Sequence, residues 1–227
     1  MVCSLNDGPD WWYPIYKDIL TEFTFSMEED CLSARILADI LNDRDVIPLP
    51  EMSHVAVVGA AVSMHELNKL QNFHGEIIAC DGATSALISR GIWPDYIVSD
   101  LDGRIEDIIT AGKKGAIVFV HAHGDNRELI ESYVHHLPWV IGTCQCDPPE
   151  GLYNFGGFTD GDRAVAIAIA CGARKVELYG FKFDTLGEYS FNSDPTIKMK
   201  KLKWARKIID LLVEINSNSG VEICMGC

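Results

Sequence analysis

Short apolar segments alternate with helical stretches from residue 54 onward, and this alternation limits the possible folds more than any other feature of the chain. The apolar segments are rich in β-branched residues and lack polar alternation, which is typical of parallel strands buried on both faces. Predicted strands cover 55–58, 76–80, 96–99, 116–120, 139–142, 176–179 and 221–224, and predicted helices lie near 63–72, 83–90, 104–112, 125–136, 161–171 and 197–216. We therefore predict a doubly wound α/β fold, with a mostly parallel sheet and helices on both faces.

The first 50 residues have a different, purely helical character. Apolar residues recur at helical spacing from Trp11 to Phe23, and a second amphipathic helix follows Ser26 with three acidic residues in its first turn. The segment Ile47–Pro50 then breaks the helix, because two of its four residues are proline. We predict an N-terminal helical segment over 1–50 that packs on an α/β domain over 51–227. The tryptophans of the first helix leave a homodimer interface as an alternative.

Composition excludes several classes of function. A formal net charge of −14 argues against nucleic-acid binding, and no apolar run reaches the ~20 residues that span a bilayer. The start of the chain lacks the features of a signal peptide, and a chain with a large apolar core needs no disulfides, so we expect a cytoplasmic protein with reduced cysteines. The pairs Cys144/Cys146 and Cys224/Cys227 leave a four-thiolate zinc site open as a less favoured possibility.

Acidic residues follow four of the predicted strands or begin the helices next to them. The loops read Asp81-Gly82-Ala83-Thr84, Asp100-Leu101-Asp102-Gly103, His121-Ala122-His123-Gly124-Asp125-Asn126 and Thr159-Asp160-Gly161-Asp162-Arg163. A single aspartate in such a place is often a helix N-cap. Four acidic loops at one sheet edge, however, repel one another unless a cation or ligand offsets their charge. We therefore predict a ligand site at this edge, where doubly wound proteins bind their ligands.

Residue types at this edge suggest magnesium and phosphate. Asp100 and Asp102 would point the same way about 6–7 Å apart in an extended chain, which suits hard oxygen ligands of magnesium. Arg163 could hold a phosphate group, with an ion pair to Asp160 or Asp162 as the alternative. The small-residue turn after residue 58 would offer backbone N–H groups. The candidate nucleotide or phosphate contacts are Gly59, Ala60, Ser63, Gly82, Ala83, Thr84, His121, Asn126, Thr159, Asp160 and Arg163.

One motif run carries a family resemblance. The run Asp81-Gly-Ala-x-x-x-Leu87-x-x-x-Gly91-x-x-Pro94-Asp95-x-Ile97-Val98-Ser99-Asp100-Leu101-Asp102 resembles the catalytic core of thiamine pyrophosphokinases. It is more similar still to the archaeal 6-hydroxymethyl-7,8-dihydropterin pyrophosphokinases, over roughly residues 52–185. The resemblance implies magnesium-dependent transfer of a pyrophosphoryl group from ATP to a primary alcohol, with release of AMP, in the synthesis of a folate- or methanopterin-type cofactor.

The same resemblance suggests roles for individual residues. Asp100 and Asp102 match the metal-binding pair, and Asp81 matches the acidic residue that completes the metal site. Asp125 or Asp81 would accept the proton of the alcohol, with His123 assisting at the transferred group. Gly103 stands where the thiamine enzymes commonly have serine, and the chain lacks their C-terminal β-sandwich. A pterin alcohol is therefore the expected substrate, with thiamine pyrophosphokinase, nucleotide-sugar glycosyltransferase and non-catalytic nucleotide sensor as alternatives.

Overall fold

The computed structural model describes residues 8–189 and 194–226, and its centre is one eight-stranded sheet. The strands are β1 (His54–Val58), β2 (Glu76–Cys80), β3 (Tyr96–Ser99), β4 (Ile117–Ala122), β5 (Val140–Cys144), β6 (Leu152–Tyr153), β7 (Lys175–Tyr179) and β8 (Glu222–Met225). Their order across the sheet is β6-β5-β4-β3-β2-β1-β7-β8, and every neighbouring pair is parallel. This confirms the predicted parallel α/β fold. The two-residue strand β6 was not predicted, because so short a segment has no apolar pattern of its own.

Helices connect the strands and precede them. They are α1 (Trp12–Phe23), α2 (Met27–Leu41), α3 (Met64–Leu70), α4 (Ala83–Ile88), α5 (Ile105–Lys113), α6 (Arg127–Tyr133), α7 (Asp160–Ala170) and α8 (Pro195–Asn216). The predicted helix near 125–136 begins only at Arg127 and ends in a 3₁₀ turn over Val134–His136. Side chains cap the N-termini of two other helices. The Ser26 side chain accepts a hydrogen bond from Glu29 N–H at the start of α2, and the Asp194 side chain accepts hydrogen bonds from Thr196 and Ile197 N–H at the start of α8.

The chain reverses direction across the sheet once, between β6 and β7. It builds strands outward from β1 to β6 and then returns to place β7 on the other side of β1. The connections after β1 and β7 therefore diverge at the carboxyl end of the sheet and leave a crevice between them. Such a switch point is where doubly wound folds bind ligands.

The N-terminal helices are built into the same hydrophobic core as the sheet. Trp12 is fully buried, stacks on Tyr16, and donates from Nε1 to the backbone oxygen of Gln145 at 2.8 Å. Helix α2 packs against β4, β5 and α6. Trp12 is thus an internal residue, which removes it from the interface suggested as an alternative. The boundary at residue 50 and a homodimer both stay predictions.

Cys144 and Cys224 lie too far apart to bind one zinc ion. Cys144 ends β5 and Cys224 lies in β8, six strand positions away in the sheet. At a spacing of about 4.8 Å per strand these two cysteines are roughly 29 Å apart, so the four-thiolate possibility is wrong. Cys3 and Cys227 lie outside the described residues. Within the described ranges, no helix combines the length and the apolar composition needed to cross a membrane.

Candidate active site

A cavity of about 470 Å³ lies over the carboxyl ends of the central strands. The turns after β1, β2, β3, β4 and β7 form its floor, and the beginning of α7 forms one side. Helix α8 contributes Lys198, Lys201, Leu202 and Ala205, and its Trp204 donates a hydrogen bond to Glu22 of α1 at 2.8 Å. The cavity is therefore enclosed between the sheet edge, the last long helix and the N-terminal helices.

Three of the predicted aspartates meet in this cavity. Oxygen atoms of Asp81, Asp100 and Asp102 all lie within 4.8 Å of one another. Three carboxylates this close suit a hard cation such as magnesium, which binds oxygen ligands and offsets their mutual repulsion. The structure thus brings together the residues that the sequence suggested for a metal ion, and their donor set fits that ion.

Unusual backbone conformations place these carboxylates. Asp81 and Leu101 adopt left-handed conformations, with φ of 42° and 70°, which non-glycine residues rarely adopt. The Ser99 hydroxyl donates to Asp81 Oδ1 at 2.6 Å and accepts from Leu101 N–H at 2.8 Å, so it joins the two turns. A Cβ atom at Gly103 would overlap the Asp81 carboxylate. A side chain at position 103 would therefore displace the Asp81 carboxylate, so the glycine is required by its neighbour.

The crowding of charge changes the acidity of the three groups. Burial and the nearby charge of Asp100 raise the pKa of Asp81 to about 6. Burial and the charges of Asp100 and Asp81 also raise the pKa of Asp102, although solvent screens this more exposed side chain. Burial opposes ionisation of Asp100 too, but the hydrogen bond from His123 and the charge of Arg163 outweigh it and lower its pKa. A bound cation would favour the fully ionised cluster.

His123 supports the cluster from the loop after β4. Its Nδ1 accepts the N–H of Asp125 at 3.3 Å, so the ring proton of the neutral form lies on Nε2. Nε2 lies 3.2 Å from Asp100 Oδ2 and donates to it. The Asn126 amide donates to the backbone oxygens of Asp100 and His121 and accepts from His123 N–H. Asn126 is buried and holds the two loops together, without lining the cavity itself.

Asp125 and His121 differ sharply in exposure. Asp125 is exposed, lines the cavity, and is not one of the three carboxylates of the close cluster. His121 is buried beside Thr143, and burial together with the charge of Arg163 holds its pKa well below its ordinary value. His121 is therefore a neutral hydrogen-bonding group. Asp125 lies in the loop after β4, on the side of the cavity next to the three-carboxylate cluster.

Arg163 brings a buried positive charge to the cavity. Its Nη1 pairs with Asp160 Oδ1 at 3.1 Å, and Nη2 donates to the backbone oxygens of Gly157 and Phe158. Nε is buried without a hydrogen-bond partner among the residues described. Burial and the charge of Asp100 raise the pKa of Asp160 well above its ordinary value. The predicted ion pair is present, and Arg163 is also one of the residues that line the cavity.

Thr159 is tied into the start of α7. Its hydroxyl donates to Asp162, whose carboxylate also accepts the N–H groups of Phe158 and Thr159. This capping box fixes the first turn of α7, from which Asp160 and Arg163 project. Thr159 still lines the cavity, so a ligand contact remains a proposal.

The turn after β1 uses its polar groups within the protein. The N–H groups of Gly59 and Ala61 donate to the backbone oxygens of Tyr179 and Gly180, and Ser63 N–H donates to the Glu66 carboxylate. Ser63 is the N-cap of α3 and does not line the cavity, whereas Gly59 and Ala60 do. These hydrogen bonds give no support to the predicted phosphate contacts of Gly59 and Ser63.

In the glycine turn after β2, too, some of the predicted contact residues line the cavity and others do not. Gly82 lines the cavity, whereas Ala83 and Thr84 are buried in α4 behind it. The Thr84 hydroxyl is buried and finds no hydrogen-bond partner in the described parts of the chain. Of this loop, only Asp81 and Gly82 are therefore placed to meet a ligand directly.

Several cavity residues were missed by sequence reasoning. They come from the turn between α1 and α2, from the first turn of α2 and from the loop after β7: Thr24, Phe25, Ser26, Glu29, Asp30 and Phe183. The acidic first turn of α2 had an adequate explanation in the helix dipole. Only the packing of α2 against β4 and β5 brings Glu29 and Asp30 to the site.

Comparison with known proteins identifies the family. The sequence profile of the family described as 6-hydroxymethylpterin diphosphokinase MptE-like matches residues 32–188. The chain belongs to this family. A protein of Pyrococcus furiosus named 6-hydroxymethyl-7,8-dihydropterin pyrophosphokinase is 45% identical over 215 residues, covering 88% of this chain and 92% of that protein. A protein of the same name from Methanothermobacter thermautotrophicus is 39% identical, covering 93% and 97%. The predicted family is thus confirmed.

A solved structure supports the fold alone. The MAf glycosyltransferase from Magnetospirillum magneticum AMB-1 superposes with a TM-score of 0.50 at 18% identity. The matched region covers 75% of this chain and 29% of that protein. At this low identity the likeness extends to the arrangement of strands and helices and carries no argument about the reaction.

Proposed function

We propose that the protein transfers a pyrophosphoryl group from ATP to the hydroxymethyl group of 6-hydroxymethyl-7,8-dihydropterin and releases AMP. The observation that carries this proposal is the cluster of Asp81, Asp100 and Asp102 at the sheet edge of a chain from this family. Its curated relatives carry the name of that activity. Magnesium held at the cluster would supply the charge that offsets the phosphates of ATP.

The cavity provides further positive charge for a polyphosphate in an otherwise acidic protein. Arg163 lies on one side, and Lys198 and Lys201 extend from α8. The Nε group of Arg163, which is buried without a partner in the described structure, gains one if a phosphate oxygen lies beside it. We propose that Arg163 binds the transferred group and that the two lysines bind the remaining phosphates.

In the proposed reaction, the hydroxymethyl oxygen attacks the β-phosphorus of ATP. A new P–O bond forms, the bond from the β-phosphorus to the bridging oxygen of the α-phosphate breaks, and AMP leaves with that oxygen. We assign Asp125 as the acceptor of the hydroxyl proton, because it is exposed in the cavity and stands outside the metal cluster. His123 positions Asp100 through its hydrogen bond and is close enough to the loop of Asp125 to keep both in place.

The test is analysis of nucleotide products. The purified protein is incubated with ATP, magnesium and 6-hydroxymethyl-7,8-dihydropterin, with thiamine in a parallel reaction. AMP and a pyrophosphorylated pterin, formed in equal amounts only when the pterin is present, support the proposal. AMP formation with thiamine but not with the pterin would show that thiamine is the substrate. Binding of Mg–ATP without AMP formation in either reaction would contradict the proposed transfer and favour a nucleotide sensor.

A further inference from the structure

We propose that the turn between α1 and α2 forms the site for the ring of the alcohol substrate, with Phe25 stacking on the pterin and Glu29 accepting hydrogen bonds from its pyrimidine edge. This inference rests on the proposed function and deepens it, since it assigns substrate recognition to residues outside the α/β core.

Aromatic side chains line the cavity at two places, one beside β1 and β7 and one in the turn between α1 and α2, and we call these places its two ends. At the end formed by β1 and β7, Phe181 lies 6.2 Å from Phe183 and packs against Gly59 and Gly161. At the other end, Phe25 stacks on Phe23 with ring centres 5.3 Å apart. Both ATP and the pterin carry a planar ring, and the phosphates must lie between those rings during transfer. Two aromatic ends beside one carboxylate cluster match that requirement.

The end at β1 and β7 fits the nucleotide. It is the switch point of the sheet, where doubly wound folds bind nucleotides. The turn over Gly59–Ala61 carries only small side chains, and Phe181 packs beside it, so the backbone of this turn and the Phe181 ring line the same part of the cavity. Lys182 lines the same end and adds positive charge. The alcohol substrate is then left with the end formed by the N-terminal helices.

The turn that carries Phe25 is fixed in place. Thr24 ends α1 in a left-handed conformation with φ of 57°, and Phe25 N–H donates to the backbone oxygen of Leu20 at 3.0 Å. Phe25 is partly buried against the core and also meets Phe158, with ring centres 6.5 Å apart. A rigid, partly exposed aromatic ring of this kind is suited to stack on a heteroaromatic substrate.

Glu29 lies at the same end and next to the loop of the reacting groups. Arg127 donates to its Oε2 at 2.6 Å, and a Cβ atom at Gly124 would lie 3.0 Å from the Glu29 Cβ. The glutamate side chain is nevertheless 50% exposed and lines the cavity. A carboxylate can accept two parallel N–H donors, and the 2-amino-4-oxopyrimidine edge of a pterin offers such a pair.

Asp30, the residue next to Glu29, has a structural role at this end of the cavity. Its Oδ2 accepts from Tyr16 and Gln145, and its Oδ1 accepts from Gly124 N–H at 2.8 Å. The buried carboxylate of Asp30 is thus occupied by the protein and joins α2 to the loop of His123 and Asp125. Asp30 is a positioning residue, which leaves Glu29 as the acidic group of this turn that meets the substrate.

The experiment varies each substrate in turn for Phe25→Ala, Glu29→Gln and two matched variants. Loss of one stacked ring or one charged hydrogen bond should raise KM for 6-hydroxymethyl-7,8-dihydropterin about tenfold or more, while KM for ATP changes less than about twofold. Phe181→Ala should do the reverse. Glu28→Gln, in the same helical turn but outside the cavity, should change neither KM. Thermal unfolding verifies that every variant is folded.

The outcomes separate this inference from the proposed function. If the wild-type protein transfers pyrophosphate to the pterin but Phe25→Ala and Glu29→Gln keep its KM, the transfer stands and the ring site is wrong. If both variants instead raise KM for ATP, the two ends are exchanged and the inference is overturned. If the wild-type protein neither turns over the pterin nor quenches its fluorescence on titration, both proposals fail together.

Discussion

The turn after β1 and the turns after β2 and β3 lie side by side at one sheet edge, yet they use their polar groups in opposite ways. After β1, the N–H groups of Gly59, Ala61 and Ser63 all donate to acceptors within the protein. After β2 and β3, three carboxylates are held within 4.8 Å of one another, at a cost in free energy. The difference teaches that a ligand is needed where the protein leaves its own charge uncompensated, and that a small-residue turn alone does not indicate phosphate binding.

The largest expected effect comes from removing one charge of the cluster. Asp100→Asn should lower turnover by about 10³-fold or more, because it removes a proposed metal ligand and leaves the cation poorly held. The protein should remain folded, since the substitution relieves repulsion among three carboxylates. AMP formation under saturating substrates measures the effect, and thermal unfolding measures the stability.

Asp95→Asn is the matched control for that substitution. Asp95 lies at the other end of β3 and accepts the N–H of Ile77 at 2.8 Å, which an asparagine oxygen can also do. Turnover of this variant should stay near that of the wild type. Near-normal turnover of a folded Asp100→Asn protein would remove the metal role of Asp100 and with it the contrast between the two kinds of turn.

A smaller but still large effect is expected from Gly103→Ala. The new Cβ atom would overlap the Asp81 carboxylate, which must then move out of the cluster. Misplacement of a catalytic group by about 1 Å can cost about 10²-fold in rate, so we expect a loss of that order. Gly112→Ala is the control, because a Cβ atom there meets its nearest neighbour at 3.5 Å within a helix. Equal activity of the two variants would show that the position of Asp81 matters little.

Magnesium should stabilise the protein more at higher pH. Burial and Asp100 raise the pKa of Asp81 from 3.8 to about 6, so between these values the folded, metal-free protein holds a proton that the unfolded chain has lost. Its stability therefore falls as pH rises through this interval. Magnesium replaces such protons, so the increase in Tm that it causes should be larger at about pH 7.5 than at about pH 5. An equal increase at both pH values would contradict a shared cation site.

Sequence reasoning located the strands and the carboxylate cluster because both depend on local patterns. Buried parallel strands are continuous apolar runs, and Asp81 and Asp100 follow two of them directly, so the topology alone brings their carboxylates together. The pairing of β2 with β3 needs no knowledge of side-chain contacts. These parts of the fold and the site could therefore be predicted from the sequence.

The remaining parts of the site depend on contacts between distant segments. Glu29 and Asp30 reach the cavity only because α2 packs on β4 and β5, about a hundred residues further along the chain. Whether a serine or threonine before a helix is a cap or a ligand contact is also decided by its neighbours. Ser63 and Thr159 each lie at or just before the start of a predicted helix and were both predicted as phosphate contacts. The structure shows both of them in capping boxes.

The smallest expected effect tests the turn after β1 through Ser63→Ala. The hydroxyl accepts from Glu66 N–H at 3.3 Å and donates to the Glu66 carboxylate at 2.6 Å, so its loss should lower the free energy of unfolding by about 1 kcal/mol. Because Ser63 does not line the cavity, KM for ATP and turnover should both stay near their wild-type values, whereas Gly103→Ala should lower turnover. Chemical denaturation and steady-state kinetics measure the two quantities, and Ser63→Thr should recover the lost stability because threonine also caps helices. A tenfold rise in KM for ATP without loss of stability would instead make Ser63 a nucleotide contact, and the turn after β1 would then resemble its neighbours.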